Sequence, residues 1–391
     1  MRVLIIAPHP FFEERGTPIA VRTVLESLSE LGHELHVLTY HIGQDVQIPN
    51  CHVHRIPRIP GVTDVSPGLS FKKLLCDVSL SANCLKLVRE IDFDLVHATE
   101  EAAFLAMIIK RLRGTPYVYD MDSALALQAV EKWPLLKAFR PAMIWLERLA
   151  IRDSFAVLAV CRLLEERARA VAPDTLVERL EDVSTLPDST PPTEDLRDEL
   201  GFSGPIVLYV GNLEAYQGID LLLSGFGQVV NQLPDVHLVV IGGRSDHIRH
   251  YSKRARQLGI ERRTHFVGPK PHALLKGYLV QADVLASPRV SGINTPMKIY
   301  SYLDSGTPVL ATRLPTHTQV LDDEVAFLAE PTAEGLAEGL LSVFSDQDRR
   351  SRMAADARER VRDEYSREAF HRKLGRFYAL LEKKLREAAA T

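Results

Sequence analysis

The chain is built from short apolar runs that do not alternate, each followed by a polar, glycine-containing loop and then by apolar residues at helical spacing. Val3 to Ala7 opens the series, aliphatic at every position as a parallel strand buried on both faces requires. From Pro18 onward, Val21, Val24, Leu25, Leu28 and Leu31 recur at helical spacing, and Gly32 stands where a C-terminal cap belongs. Leu35 to Thr39 reads as the next strand. The pattern returns as strand Leu95 to Ala98, helix Glu101 to Arg113 with Gly114 past its end, and strand Tyr117 to Asp120. Such alternation predicts a parallel α/β sheet.

The segment LPDSTPPTE, residues 186–194, has three prolines and no periodicity, which is linker composition. Beyond it the alternation restarts with strands at Ile206 to Val210, Val236 to Ile241, His265 to Val267, Val284 to Ala286 and Val309 to Ala311. Helices are expected between them, including Ile219 to Leu233 and Met297 to Leu303. The expectation is α/β with two Rossmann-like, doubly wound parallel-sheet domains, residues 1–186 and 187–370, facing a cleft. Residues 371–391 form a charged C-terminal helix expected to pack back on the first domain, and 186–194 is expected to act as a hinge.

Composition excludes several classes. A length of 391 residues with 46% hydrophobic and 25% charged residues is ordinary for globular domains and rules out disorder. A net charge of −4 gives no general field for nucleic acid, so any bound anion must be held locally. The four cysteines (Cys51, Cys76, Cys84, Cys161) fall in no C-x-x-C spacing, so their pattern signals neither zinc nor a disulfide framework. A reducing cytoplasm is the expected compartment. The apolar run at the N-terminus is too short for a signal peptide, and no run approaches the roughly 18 residues of a membrane span.

Ligands in parallel α/β folds bind at the carboxyl ends of strands. Gly16 lies in the loop after the first strand, Gly211 follows IVLYV, Gly242 and Gly243 follow HLVVI, and Gly268 follows HFV. Glycine lets backbone N–H groups approach a phosphate closely. The densest segment is ADVLASPRVSGINTPMKIYSYLDSGTPVLA, residues 282–311. Its loop carries Arg289, Asn294 and Thr295 and leads to a helix expected to open at Pro296, with Lys298 in the first turn. A lysine there opposes the helix dipole, and together with the positive helix end it predicts an anion site.

These segments resemble the glycosyltransferases of family four, of the GT-B fold. The resemblance runs through MRVLIIAPHP with Gly16, LSELGHELHVLT, DLVHA, YVGNLEAYQGIDLLLSGF and PMKIYSYLDSGTPVLAT. It implies a nucleotide sugar, a UDP- or GDP-sugar, held mainly by the second domain, a glycan or lipid-linked acceptor on the first, and no metal or other cofactor. It also implies a transfer retaining anomeric configuration, in cell-envelope or exopolysaccharide synthesis. Relatives carry an Arg and a Lys toward the donor diphosphate where this chain has Asn212 and Gln217. Two glutamates of relatives fall on Ser301 and Ile293. Lys298, Arg289, Arg244 and Lys270 are therefore the candidate replacement cations, at least one expected within reach of the phosphates.

In the first domain a histidine of relatives falls on Asp122, two residues after Asp120. The two carboxylates are expected to converge at a strand end and bind acceptor hydroxyls, Asp122 being the candidate catalytic side chain beside Lys298; an Asx turn or helix cap is the other reading. His97 ends another strand and reads either as a core histidine or as an acceptor contact. Residues 132–152, KWPLLKAFRPAMIWLERLAIR, mix Trp133, Phe139 and Trp145 with five cations, as a helix touching anionic lipid at the inner face of a membrane would, or a packing helix. Three other readings stay open: a homologue that binds nucleotide or glycan without transfer, a nucleotide-sugar epimerase, and a nicotinamide dehydrogenase, the last disfavoured because no G-x-G-x-x-G follows either first strand.

Overall fold

A computed structural model describes residues 1–14, 16–65, 70–126, 134–187, 189 and 191–389. The chain divides into two compact units, Met1–Glu181 with Phe370–Thr391, and Asp182–Ala369.

The first unit holds a seven-stranded, wholly parallel sheet of β1 (Arg2–Ile6), β2 (Glu34–Thr39), β3 (Cys51–Arg55), β4 (Leu95–Thr99), β5 (Tyr117–Met121), β6 (Ala156–Ala159) and β7 (Leu176–Arg179). Its order is β3-β2-β1-β4-β5-β6-β7, so the winding reverses between β1 and β4. Val3, Leu4, Ile5 and Ile6 are all fully buried, which is why the opening run has no polar alternation. The periodicity argument passes over β3, whose CHVHR is too polar, the helix Phe71–Glu90, whose apolar face is interrupted, and also β6, β7 and the helix Arg162–Val171 between them.

The C-terminal helix Arg367–Ala389 sends Leu374, Phe377, Tyr378 and Leu381 into the core of this unit. Lys373 there pairs with Glu181 at 2.8 Å, and the Tyr378 ring lies 5.3 Å from that of His33.

The second unit holds β8 (Ile206–Val210), β9 (His237–Ile241), β10 (Thr264–Gly268), β11 (Val284–Ser287), β12 (Val309–Thr312) and β13 (Phe327–Ala329) in the order β10-β9-β8-β11-β12-β13, again all parallel. Val207 and Tyr209 face one core with Phe226 and Leu340, while Ile206 and Leu208 face another with Tyr300 and Tyr302. Winding reverses between β8 and β11. That reversal opens a crevice at the strands' carboxyl ends and fixes where a ligand can enter.

The division between units falls ahead of the expected 186/187 boundary. Thr185 donates its N–H to Ser301 Oγ at 3.2 Å and its hydroxyl meets His272 Nε2 at 3.0 Å, while Pro187 O accepts from Lys276 Nζ at 3.2 Å. These bonds tie the start of the expected hinge to the second unit. Positions 188 and 190 of that segment lie outside the described residues.

Candidate active site

In the second unit, the loops after β8 and β11 flank the switch point and are knitted together. Val290 N–H donates to Tyr216 O at 3.0 Å, and Gly218, with φ +74°, comes so close that a Cβ would stand 1.9 Å from Pro288 O. Glycine is equally required at 242, where φ is +110° and a Cβ would lie 2.2 Å from Gly211 O. Gly243 presses against Leu213, and Gly268 accepts from Gly242 N–H at 2.7 Å. The four strand-end glycines of this unit thus form one backbone floor.

Lys298 stands above that floor. The helix it opens is Lys298–Ser305 rather than one begun at Pro296, because Met297 takes the cap position while Pro296 O accepts from Ile299 N–H at 2.9 Å. Its ammonium donates to Gln217 Oε1 at 3.2 Å and lies 3.9 Å from the centre of the Tyr209 ring. Among the described residues no carboxylate lies within ion-pair distance of it. Burial, with the positive charge of Arg289 added, pushes its pKa well down. A lysine at 217, as in relatives, would face this ammonium as a like charge; glutamine offers it an oxygen instead.

Arg289 is buried and donates through Nη1 to Asn294 O at 2.9 Å and Thr316 Oγ1 at 2.8 Å, with its guanidinium 5.2 Å from the Tyr216 ring centre. It holds the loop that delivers Thr295, itself buried with its hydroxyl lacking a partner among the described residues. His317 is wholly buried beneath, bonded to Ser287 Oγ at 2.9 Å and Thr312 O at 2.8 Å; burial first, then Arg289 and Lys298, lower its pKa to about 3. It is a neutral strut, and the cations above it carry the local charge.

Four expected donor contacts turn out differently. Arg244 is exposed and paired with Asp246 at 3.1 Å and Glu214 at 3.5 Å. Lys270 is committed to Glu199 at 3.0 Å and to the face of Tyr278. Ser301 is buried, its hydroxyl taken by Thr185, so it cannot stand in for the glutamate of relatives that falls on this position. Asn212 is exposed, but its Oδ1 accepts from Glu214 N–H at 3.2 Å, an Asx turn shaping the loop rather than replacing a cation.

In the first unit the carboxyl ends of β4 and β5 gather acids. Asp120 Oδ2 lies 3.1 Å from His97 Nε2, and His97 Nδ1 lies 2.8 Å from Tyr378 OH. His97 is 1% exposed with both ring nitrogens engaged, so it orients Asp120 and anchors the C-terminal helix and does not reach an acceptor. Asp122 follows β5 directly, half-buried. Gly16 opens the helix Gly16–Glu30 with φ +25° and open space where a Cβ would stand.

Glu100, absent from the sequence expectations, is a chief member of this cluster. It directly follows β4 and lies in the left-handed region at φ +55°, uncommon outside glycine and a local strain. Its Oε2 accepts from Ser123 Oγ at 2.8 Å. Burial, then the charges of Glu101, Asp120 and Glu147, push its pKa up to about 8. Neighbouring Glu101 turns the other way, paired with Lys73, which also meets Asp77 at 3.3 Å and Tyr40 OH at 3.0 Å. The available signal was the acidic pair Glu100–Glu101 directly after DLVHAT; helix-start composition hid it.

Each unit thus gathers its polar groups at the carboxyl ends of a parallel sheet: a glycine floor with Lys298 in the second, and the carboxyls of Glu100, Asp120 and Asp122 in the first. Residues 15–178 match the glycosyl transferase 4-like domain, and residues 193–360 match the glycosyl transferases group 1. The chain belongs to the family four glycosyltransferases. This glycosyltransferase is 26% identical over 369 residues to the phosphatidyl-myo-inositol mannosyltransferase of Mycolicibacterium smegmatis, covering 92% of the chain and 89% of that protein. Its fold superposes on sucrose-phosphate synthase from Thermosynechococcus elongatus with a TM-score of 0.80 at 21% identity, covering 98% and 99% of the two chains. It superposes on Anabaena HepE, solved with UDP-glucose, with a TM-score of 0.74 at 16% identity, covering 97% and 99%. These neighbours establish the GT-B fold of the glycosyltransferase.

Proposed function

We propose that this glycosyltransferase takes a UDP- or GDP-sugar as donor, seats its diphosphate over the Gly211, Gly242 and Gly243 floor against Lys298, and transfers the sugar with retention to a hydroxyl of a glycan or lipid-linked acceptor. The single observation that carries this reading is the Lys298 ammonium, held by an amide oxygen and a ring face with no carboxylate within ion-pair distance among the described residues. A half-buried cation without a counter-charge is costly, and an anionic ligand lowers that cost.

The chemistry follows from charge. Departure of a nucleoside diphosphate leaves negative charge on the phosphate as the anomeric carbon becomes oxocarbenium-like. Lys298, Arg289 and the N–H groups opening the helix Lys298–Ser305 stabilise that charge in place of a metal ion. The leaving phosphate itself takes the acceptor proton, so no side-chain base is obligatory. Glu100, Asp120 and Asp122 serve as hydroxyl-binding groups, with Glu100 protonated near neutral pH and so able to donate a hydrogen bond.

A lipid-linked acceptor is favoured by the first unit's surface. On the helix Arg140–Asp153, Trp145 is 62% exposed beside Arg148 and Arg152. On the helix Phe71–Glu90, Phe71, Leu74, Leu75 and Val78 form an exposed apolar stripe at helical spacing, next to Lys72. Lys132 and Trp133 of the expected lipid-facing segment lie outside the described residues, and no described helix is long and apolar enough to cross a membrane.

The test is release of free nucleoside diphosphate from a panel of UDP- and GDP-sugars, with glycan and polyprenol-linked acceptors, on vesicles with and without anionic lipid. Turnover of one donor, dependent on acceptor and raised by anionic lipid, is expected. Binding of nucleotide with no turnover across the panel supports the reading as a homologue that binds without transfer.

A further inference from the structure

The edge of the first sheet carries a second group of side chains with its own chemistry. On β3 the sequence His52-Val53-His54 places both imidazoles on one face, since side chains of a strand alternate. The parallel register puts His36 of β2 directly opposite His52. Glu34, two residues before His36 on the same strand, shares that face. Stacking reflects this register: the His36 ring lies 4.8 Å from that of His52 and 5.1 Å from that of His54, with Phe93 packed edge-on at 5.2 Å.

Bonding at His36 is directional. Its Nδ1 lies 2.9 Å from His54 Nε2, and its Nε2 lies 3.3 Å from Glu34 Oε1. When His36 Nδ1–H donates to His54, Nε2 keeps its lone pair and faces a carboxylate oxygen, two acceptors with nothing between them. A cation placed there satisfies both. In its absence the chain of donors runs the other way, from His54 to His36 to Glu34. Ligand atoms of Glu34, His36 and His52 all lie within 4.8 Å of one another. Tetrahedral zinc, with bonds of about 2.0–2.2 Å, needs ligand atoms closer than that. The exposed His52 and partly exposed Glu34 can swing inward while buried His36 stays fixed.

We propose that Glu34, His36 and His52 form a binding site for a divalent transition-metal ion of zinc-like preference, with His54 orienting His36 through its second ring nitrogen. Two nitrogens and one carboxylate oxygen suit zinc, with the fourth position left to water. The bond from His54 plays the part that outer hydrogen bonds play at established metal sites, fixing tautomer and ring angle. Arg2, 2.8 Å from Glu34 Oε1, competes for the carboxylate and weakens the site. Because Glu34 opens β2 and the cluster lies on the β2–β3 edge, it is separate from the β4 and β5 carboxyl ends where Glu100, Asp120 and Asp122 sit. The ion would staple an edge strand that otherwise holds by one ladder, a structural role distinct from group transfer.

Calorimetric titration of zinc chloride into chelator-stripped full chain tests this, with cobalt absorption as the geometric readout. Saturable binding of one ion per chain is expected, weakened at least ten-fold in His52→Ala and in Glu34→Gln, and unchanged in Cys51→Ser. His52 is exposed, so its replacement leaves the fold intact and the comparison interpretable. Binding equal in His52→Ala and wild type, binding lost in Cys51→Ser, or no saturable binding at all would each overturn the proposal.

Discussion

Lys298 Nζ lies 3.9 Å from the centre of the Tyr209 ring, at the point where the second sheet reverses its winding. The ring and the Gln217 oxygen hold the ammonium without neutralising it, which leaves it ready for an anion. Gln217→Glu supplies the missing carboxylate. In that variant Lys298 becomes internally paired, and nucleoside diphosphate binding is expected to weaken at least ten-fold, measured by calorimetry, with the folded structure stabilised.

Glu100 gives a pH dependence. With a folded pKa of about 8 against an ordinary 4.5, the native chain keeps a proton that the unfolded chain releases. Stability from this group is therefore full below pH 4.5 and declines as pH rises toward 8. Glu100→Gln is neutral throughout and still accepts from Ser123. Relative to wild type it is expected to gain on the order of a few kcal/mol between pH 5 and pH 8.5, read from urea unfolding midpoints.

The bond of Tyr378 to His97 is buried and joins the C-terminal helix to β4. Tyr378→Phe leaves His97 Nδ1 without that partner and is expected to cost about 1–3 kcal/mol of stability in the first unit. Hydrogen exchange should report faster opening of the helix Arg367–Ala389, with diphosphate binding to the second unit unchanged.

Gly242→Ala places a methyl 2.2 Å from Gly211 O at a φ of +110°. The strain is expected to cost roughly 1–3 kcal/mol and to displace the Gly211 loop. A drop in melting temperature with weaker diphosphate binding is the expected pair of results.

The architecture was legible because parallel strands buried on both faces leave unbroken apolar runs, as Val3 to Ile6 and Ile206 to Leu208 do. Element β3 was not, because its edge position lets it carry His52 and Arg55 where a central strand could not. At the site, Lys298 and Arg289 could be picked out from a polar loop running into a helix. Which cations were already spoken for could not: Arg244 meets Asp246 nearby, but Lys270 meets Glu199 across 71 positions. Glu100 was hidden for a related reason, since its backbone angle and its crowding by Asp120 and Glu147 exist only after folding.

Calorimetric titration of UDP and of GDP into wild type and Lys298→Met tests the central claim most directly. One nucleotide is expected to bind wild type, its phosphates supplying the counter-charge that Lys298 lacks among the described residues. Binding to Lys298→Met is expected to be roughly 10- to 100-fold weaker, the worth of one charge-assisted contact. Equal affinity in both proteins, or no binding of either nucleotide, would contradict the account.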